Sequence, residues 1–282
     1  MAATFVVVPQ WQGSGSSRAM RLIDGADAIR GDLPSAATRV VAVPMEAGEP
    51  LDTGVSRFAS LMAVRSAQRI ALADVDGPAI TIGGDCGVEL GAVEHALDRF
   101  GPDTALVWFD AHPDLNTPES SPSGAFHGMV LRALLGEGAD GLALPPDLAL
   151  PPGRAVLVGT RAADDAEDAF LNAASMSVLS PGDLGEDPDS TAAAVVAAVR
   201  GTGASRVYVH VDLDVLDPGE IAGIGYPEPF GLTVPALVAA IRAVRAEFEL
   251  VGAGITEFAP ASPDEVRDDM GAILRIISAL TR

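Results

Sequence analysis

Eight short apolar runs recur along the chain, at residues 5–8, 40–43, 79–82, 105–109, 155–158, 177–179, 207–211 and 250–255. They are rich in β-branched residues and apolar at nearly every position instead of at alternate ones. A strand buried on both faces has that pattern, and strands buried on both faces belong to parallel sheets. Parallel neighbours need a crossover between them. Ala-rich segments with helical spacing supply it at 56–73, 89–99, 128–135, 190–200, 234–248 and 264–280. Strand and helix alternate about eight times, which makes the chain α/β. The Pro-rich stretches 144–153 and 181–188 read as surface loops, and no internal repeat or low-complexity segment divides the sequence. With 282 residues and 48% apolar content, one domain over 1–282 with a sizeable core is the expectation.

Charge narrows the partners. The chain carries 39 Asp and Glu against 18 basic residues, every one of them arginine, for a net charge of −21. Such a surface repels phosphate, so neither nucleic acid nor an anionic membrane is an expected partner. A small cationic substrate is compatible with it. The single cysteine, Cys86, cannot form an intrachain disulfide, residues 1–10 lack a basic targeting region, and no run approaches the ~18 apolar residues of a membrane span. A soluble cytoplasmic protein is expected.

The polar residues fall where chemistry would need them. Several apolar runs end in acids: Gly83-Gly84-Asp85-Cys86, Asp110-Ala111-His112-Pro113-Asp114, Asp212-Leu213-Asp214 and Glu257. In an open parallel sheet ligands bind beyond the carboxyl ends of the strands, so four such ends would converge on one crevice. If the chain stays extended, Asp110, His112 and Asp114 share a face, as do Asp212 and Asp214. Carboxylates gathered this closely repel one another unless cations neutralise them. Acids with one imidazole suit a divalent ion such as Mn²⁺. There are more acids than one ion needs, which points to two ions that together activate a water for attack on an electrophilic carbon. Taken singly, Asp-x-His-x-Asp and Asp-x-Asp would also suit a solvated loop and a turn.

This ordered set of motifs, together with Asp212-Leu213-Asp214-Val215-Leu216-Asp217-Pro218, resembles the ureohydrolases, the family of arginase and agmatinase. The resemblance runs from about Val40 onward. It implies a three-layer α/β/α fold around a central eight-stranded, mainly parallel sheet, and a dinuclear Mn²⁺ centre that hydrolyses guanidino groups. It makes Asp110, Asp114, Asp212 and Asp214 carboxylate ligands and His112 an imidazole ligand. Cys86 stands where the family places a histidine ligand. The segment Asp114-Leu115-Asn116-Thr117-Pro118, followed by Ser121, Ser123-Gly124 and His127-Gly128, resembles the arginase branch. There the resemblance assigns Asn116, Ser121 and Ser123 to the α-carboxylate of an amino-acid substrate. The stretch Gly159-Thr160-Arg161-Ala162-Ala163-Asp164 with Glu167 resembles the segment whose acid, here Asp164, receives the α-amino group. Asn116 and Asp164 also suit ordinary loop capping. Glu257 takes the position of a carboxylate facing the guanidinium. His127 matches a histidine that passes a proton to the leaving amine, with an inert histidine near a helix start as the alternative.

The other two histidines carry less. His210 precedes Asp212 by two and shares its face; a packed, hydrogen-bonded histidine is preferred there over one that orients a ligand. His95, inside an apolar helix, reads as structural. A coordinated cysteine is a thiolate. Two divalent ions with four Asp sum to zero, and the thiolate adds one negative charge, which weakens the first ion as a Lewis acid. Sulfur is also softer than Mn²⁺ prefers. The combination of the arginase-type loop with Gly-Gly-Asp-Cys is similar to the hydrolases of Nω-hydroxy-L-arginine in D-cycloserine biosynthesis, implying hydroxyurea and L-ornithine as products. L-arginine hydrolysis is the main alternative. A non-catalytic metal-binding relative and a single-zinc deacetylase of related fold are the competing classes. Tyr226, in Gly225-Tyr226-Pro227, either narrows the pocket mouth or points to solvent. A monomer is slightly preferred over a trimer or hexamer.

Overall fold

A computed structural model of the chain describes residues 3–185 and 187–282. Residues 1 and 2 of the N-terminal segment and residue 186 of the second Pro-rich stretch lie outside the described residues. Eight strands form one sheet: β1 (Thr4–Val8), β2 (Thr38–Val40), β3 (Ala79–Gly83), β4 (Thr104–Phe109), β5 (Ala155–Val158), β6 (Ser177–Leu179), β7 (Arg206–Asp212) and β8 (Glu249–Thr256). Their order across the sheet is β2-β1-β3-β8-β7-β4-β5-β6, and every pairing is parallel. All eight apolar runs become strands. The second lies two residues earlier than expected, because the chain turns toward Pro44 after Val41, whose amide still donates to Val7 O.

Burial on both faces explains why the runs are continuous. In β4, Ala105, Val107 and Phe109 pack into one layer and Leu106 and Trp108 into the other. Each of the larger of these side chains contributes about 1.5–3 kcal/mol by leaving water. The helices are α1 (Arg21–Gly31), α2 (Phe58–Leu72), α3 (Glu89–Phe100), α4 (Val130–Leu134), α5 (Asp165–Ala174), α6 (Pro188–Gly201), α7 (Val234–Glu247) and α8 (Pro263–Thr281). Residues of α1, α6, α7 and α8 pack on the first face and residues of α2, α3, α4 and α5 on the second, giving three layers, α/β/α. Their starts follow capping chemistry: Asp187, Thr233 and Ser262 accept from the first-turn amides of α6, α7 and α8, each helix having proline at its first or second position. Pro188, expected in a loop, therefore opens α6. The segment expected to be helical at 128–135 is a 3-10 turn, Phe126–Met129, running into the short α4. No helix of the described residues is long and apolar enough to cross a membrane.

Candidate metal centre and substrate crevice

β3, β8, β7 and β4 are consecutive in the sheet, so their carboxyl ends bring Cys86, Glu257, Asp212 and Asp110 to one place. The chain does not stay extended through the Asp-x-His-x-Asp motif. β4 stops at Phe109, the loop bends, and Asp114 adopts a left-handed backbone with φ +53°. The bend, not strand alternation, brings these side chains together. Asp212 closes β7, and its carboxylate accepts the Asp214 amide at 2.8 Å, curling the chain into a 3-10 turn, Leu213–Val215.

Two ligand-like groups lie side by side. In the outer one, His112 Nδ1 is 3.0 Å from Asp214 Oδ2 and 3.7 Å from Asp110 Oδ1. In the inner one, Cys86 Sγ is 3.0 Å from Asp212 Oδ2, and the Cys86 amide donates to Glu257 Oε1 at 3.2 Å. Donor atoms of Asp110, His112 and Asp214 lie within 4.8 Å of one another, as do those of Cys86, Asp212 and Glu257, and those of Cys86, Asp110 and His210. Asp114 is buried beside them, with Oδ2 lacking any hydrogen-bond partner among the described residues.

The electrostatics fit divalent cations. Burial, then repulsion from Asp214, Asp110 and Glu257, pushes the Asp212 carboxyl well above the usual range. Burial and neighbouring Asp110 do the same to Asp114, and burial with four nearby carboxylates raises the Cys86 thiol. Against its burial, His112 is pushed up to about 12 by Asp110 and Asp214. Asp110 goes the other way: the imidazoles of His112 and His210 facing it overcome its burial and hold it below the usual range. Alone, the site gathers protons. Positive charge among oxygen, sulfur and imidazole donors is what it lacks, and the residues present fit a pair of metal ions.

Above these groups opens a cavity of about 420 Å³, with His112, Asp114, Asp212 and Asp214 at its floor. Asn116, Ser121, Ser123 and Asp164 line its walls. Asn116 Nδ2 donates to Asp164 Oδ2 at 2.8 Å, so these two residues, 48 apart in sequence, form one unit. Asp164 is also the N-cap of α5, in a capping box with Glu167. Ser121 Oγ accepts the Gly124 amide and Ser123 Oγ the Ala125 amide, and the two hydroxyls meet at 3.4 Å, one donating to the other.

His127 Nδ1 lies 3.6 Å from Glu257 Oε1. Its burial opposes charge, but Glu257 and then Asp85 outweigh it and raise its pKa. Glu257 holds a left-handed backbone, φ +66°, at the exit of β8. Tyr226 lines the cavity, edge-on to His112 and tilted over His127 at 5.1 Å, so it narrows the opening instead of facing solvent.

Asp85 is an internal brace and not a cavity group. It accepts from Gln10 and from the Gly13 and Gly87 amides, and burial followed by Glu257 pushes it up to about 6. His95 sits on α3 away from this cavity. Three contributors go beyond the sequence reading. Glu89 is fully buried behind His210. Trp108 donates to Asp110 Oδ2 at 3.0 Å. Arg161 donates to the carbonyls of Gly159, Asp214, Glu228 and Pro229, tying the exit of β5 to the loops that carry Asp214 and Tyr226. An arginine three residues past a strand end was the one signal available for it.

A family model described as the arginase family matches residues 24–279. The N(omega)-hydroxy-L-arginine amidinohydrolase of Streptomyces lavendulae is 32% identical over 222 residues, 78% of this chain and 74% of that protein. An arginase of Bacillus caldovelox is 31% identical over 203 residues, 68% of this chain and 67% of that one. Among solved structures, an arginase of Entamoeba histolytica in complex with L-ornithine superposes with a TM-score of 0.84 at 25% identity, covering 99% of this chain and 97% of that one.

Proposed function

The chain belongs to the arginase family, an amidinohydrolase acting on C–N bonds of linear amidines, and from that premise we propose that it hydrolyses the guanidino group of an arginine-like amino acid, Nω-hydroxy-L-arginine ahead of L-arginine. The whole of 1–282 serves as one ureohydrolase domain. One juxtaposition supports the reading: carboxylates crowd the floor of a cavity whose wall is complementary to a zwitterion, with a buried thiol against Asp212 behind them.

Asp110, Asp114, Asp212, Asp214, His112 and Cys86 would hold two divalent cations, manganese for the oxygen-rich outer group. Bound there, such ions supply a water of lowered pKa and a Lewis acid. The remaining steps belong to the side chains. Asn116, Ser121 and Ser123 offer N–H and O–H donors to the α-carboxylate, and Asp164, held in its charged form by Asn116 and the α5 amides against its burial, receives the α-ammonium. Glu257, buried beneath, orients the guanidino group against the floor. His127, its pKa raised by Glu257 against its burial, is placed to hand a proton to the departing ornithine amine, and Asp114 is the second proton carrier. Tyr226 closes the mouth over both histidines and excludes water.

Substrate preference is the finer part of the proposal. An N-hydroxyguanidine is less basic than a guanidine and reaches the floor uncharged more easily, which suits a centre carrying an extra thiolate charge. The Streptomyces lavendulae relative acts on the hydroxylated substrate, but arginases match this chain comparably, so L-arginine stays as the second reading. Metal-loaded protein incubated separately with Nω-hydroxy-L-arginine, L-arginine and agmatine, with ornithine or putrescine measured, decides between them. Higher kcat/KM on the hydroxylated substrate is expected. Equal or better turnover of L-arginine would move the assignment to arginase, and no turnover of any would leave a metal-binding relative.

A further inference from the structure

His210 ends among groups the mechanism above does not connect it to. We propose that it is a further metal ligand, and that with Cys86 and Asp110 it forms an inner position of sulfur, nitrogen and oxygen donors that takes a borderline ion such as Zn²⁺ or Co²⁺ in preference to Mn²⁺. This rests on the reading of the crevice as a two-ion centre.

The distances argue for it. His210 Nε2 is 3.8 Å from Cys86 Sγ and 3.7 Å from Asp110 Oδ2. The contact to Asp110 is too long for a hydrogen bond, which falls near 2.7–3.2 Å, and the contact to sulfur lies at the long end of what a thiol hydrogen bond spans. They lie a little beyond the edges of a coordination polyhedron, so a slight contraction would close them on an ion: metal–nitrogen bonds of about 2.0–2.1 Å and a metal–sulfur bond of about 2.3 Å set tetrahedral edges at roughly 3.4–3.6 Å. Asp212 Oδ2, 3.0 Å from the same sulfur, stands by as a fourth donor.

The imidazole is fixed in that aim. It is completely buried and stacked on the Trp108 ring, centroids 3.6 Å apart. Its far nitrogen, Nδ1, has no hydrogen-bond partner among the described residues, and it faces Glu89 Oε1 at 3.6 Å, an oxygen likewise without one. The other Glu89 oxygen accepts from Tyr208 OH at 2.7 Å. A metal-bound imidazole commonly gives its second N–H to such a carboxylate, and a small closure of the Glu89–His210 gap satisfies both orphaned atoms.

The sheet makes room for the arrangement. β8 separates His210 on β7 from the β3 side, and it presents Gly254 opposite His210. A Cβ there would lie 1.6 Å from Glu89 Oε1. Only a glycine lets the Glu89 carboxylate cross β8 to reach the histidine. The resulting donor set is softer than the Asp110, His112 and Asp214 set beside it, so one crevice offers two positions of different metal taste.

The test titrates metal-free full-length protein with Co²⁺ and reads absorption, with X-ray absorption on the sample holding one Co per chain. A thiolate-to-cobalt band in the near ultraviolet is expected in the wild type, with sulfur and imidazole scatterers together around the metal. Cys86→Ser should abolish the band. His210→Asn and Glu89→Gln should each weaken this first ion by about tenfold or more, while Zn²⁺ displaces it and Mn²⁺ does not. Absence of a sulfur scatterer in the wild type, or undiminished binding in His210→Asn, overturns the proposal. If two ions still bind and guanidino hydrolysis persists in that event, the two-ion reading survives it. If no ion binds at all, both fall. The wild-type scattering is decisive even if a buried variant fails to fold.

Discussion

Asp164 serves a helix and a cavity with one carboxylate. One oxygen accepts two first-turn amides of α5 and the other meets Asn116 at the cavity wall. Asparagine caps a helix as well as aspartate does, so Asp164→Asn separates the two duties. Thermal stability should stay nearly unchanged. KM should rise by roughly fivefold, about 1 kcal/mol for a lost charge-assisted contact at a half-exposed position, with kcat little affected. An unchanged KM alongside an unchanged Tm removes Asp164 from substrate binding. That Asp164 suits loop capping was legible in the sequence, and so was the match to an amino-group site. What the sequence lacked was the news that these are compatible, which depends on Asn116 arriving from 48 residues away to share the second oxygen.

Strands and helices were unequally legible. A strand buried on both faces must be apolar throughout, so each of the eight marks itself. α1 does not: its buried face is Leu22, Gly25, Ala26 and Ile29, and Gly25 is a helix-weakening residue tolerated because a Cβ there would strike the Phe258 carbonyl at 1.9 Å. That helix is held by close approach and not by propensity. The surroundings of His210 were hidden for a related reason. Alternation places it on the face of Asp212, but its proximity to Cys86 follows from β8 lying between β3 and β7, and strand order leaves no mark on local sequence. The glycines of β8 are the nearest thing to a signal. Gly254→Ala should force Glu89 aside at a cost of roughly 1–3 kcal/mol, read as a lower urea midpoint, and should weaken Co²⁺ binding in the same sample. A midpoint and an affinity both at wild-type values would show that the crossing over β8 is not tight.

Across the molecule, the acids of the crevice set how stability answers to pH and metal. Burial and neighbouring carboxylates push Asp214 up to about 6, above the ordinary ~3.9. A group whose folded-state pKa is raised holds more protons folded than unfolded, so its contribution falls as pH rises from about 4 through 6. Asp212 and Asp114, raised further, extend the loss upward, and His112, raised to about 12, contributes fully below about 6.5 and loses its share as pH climbs. Asp110, held below the usual range, loses its contribution only in acid beneath this window. Divalent ions replace those protons. The gain in Tm on loading with Mn²⁺ and Zn²⁺ should therefore be larger at pH 8 than at pH 5, and an equal gain at both would mean the ions bind elsewhere. The net charge of −21 is spread too widely to supply this effect.

β8 is the last of the eight strands in sequence, yet it lies at the middle of the sheet, bonded to β3 on one side and β7 on the other. On the ribosome, a nascent chain that has not yet extruded residues 249–256 can pair β2-β1-β3 and β7-β4-β5-β6 only as two separate half-sheets. Cys86 rides on one and Asp110, Asp212 and His210 on the other. The growing polypeptide thus carries Asp110, His112 and Asp214 together on one half, while the inner group, which needs the Cys86 thiol from the other, is assembled only when translation has delivered the strand that joins them.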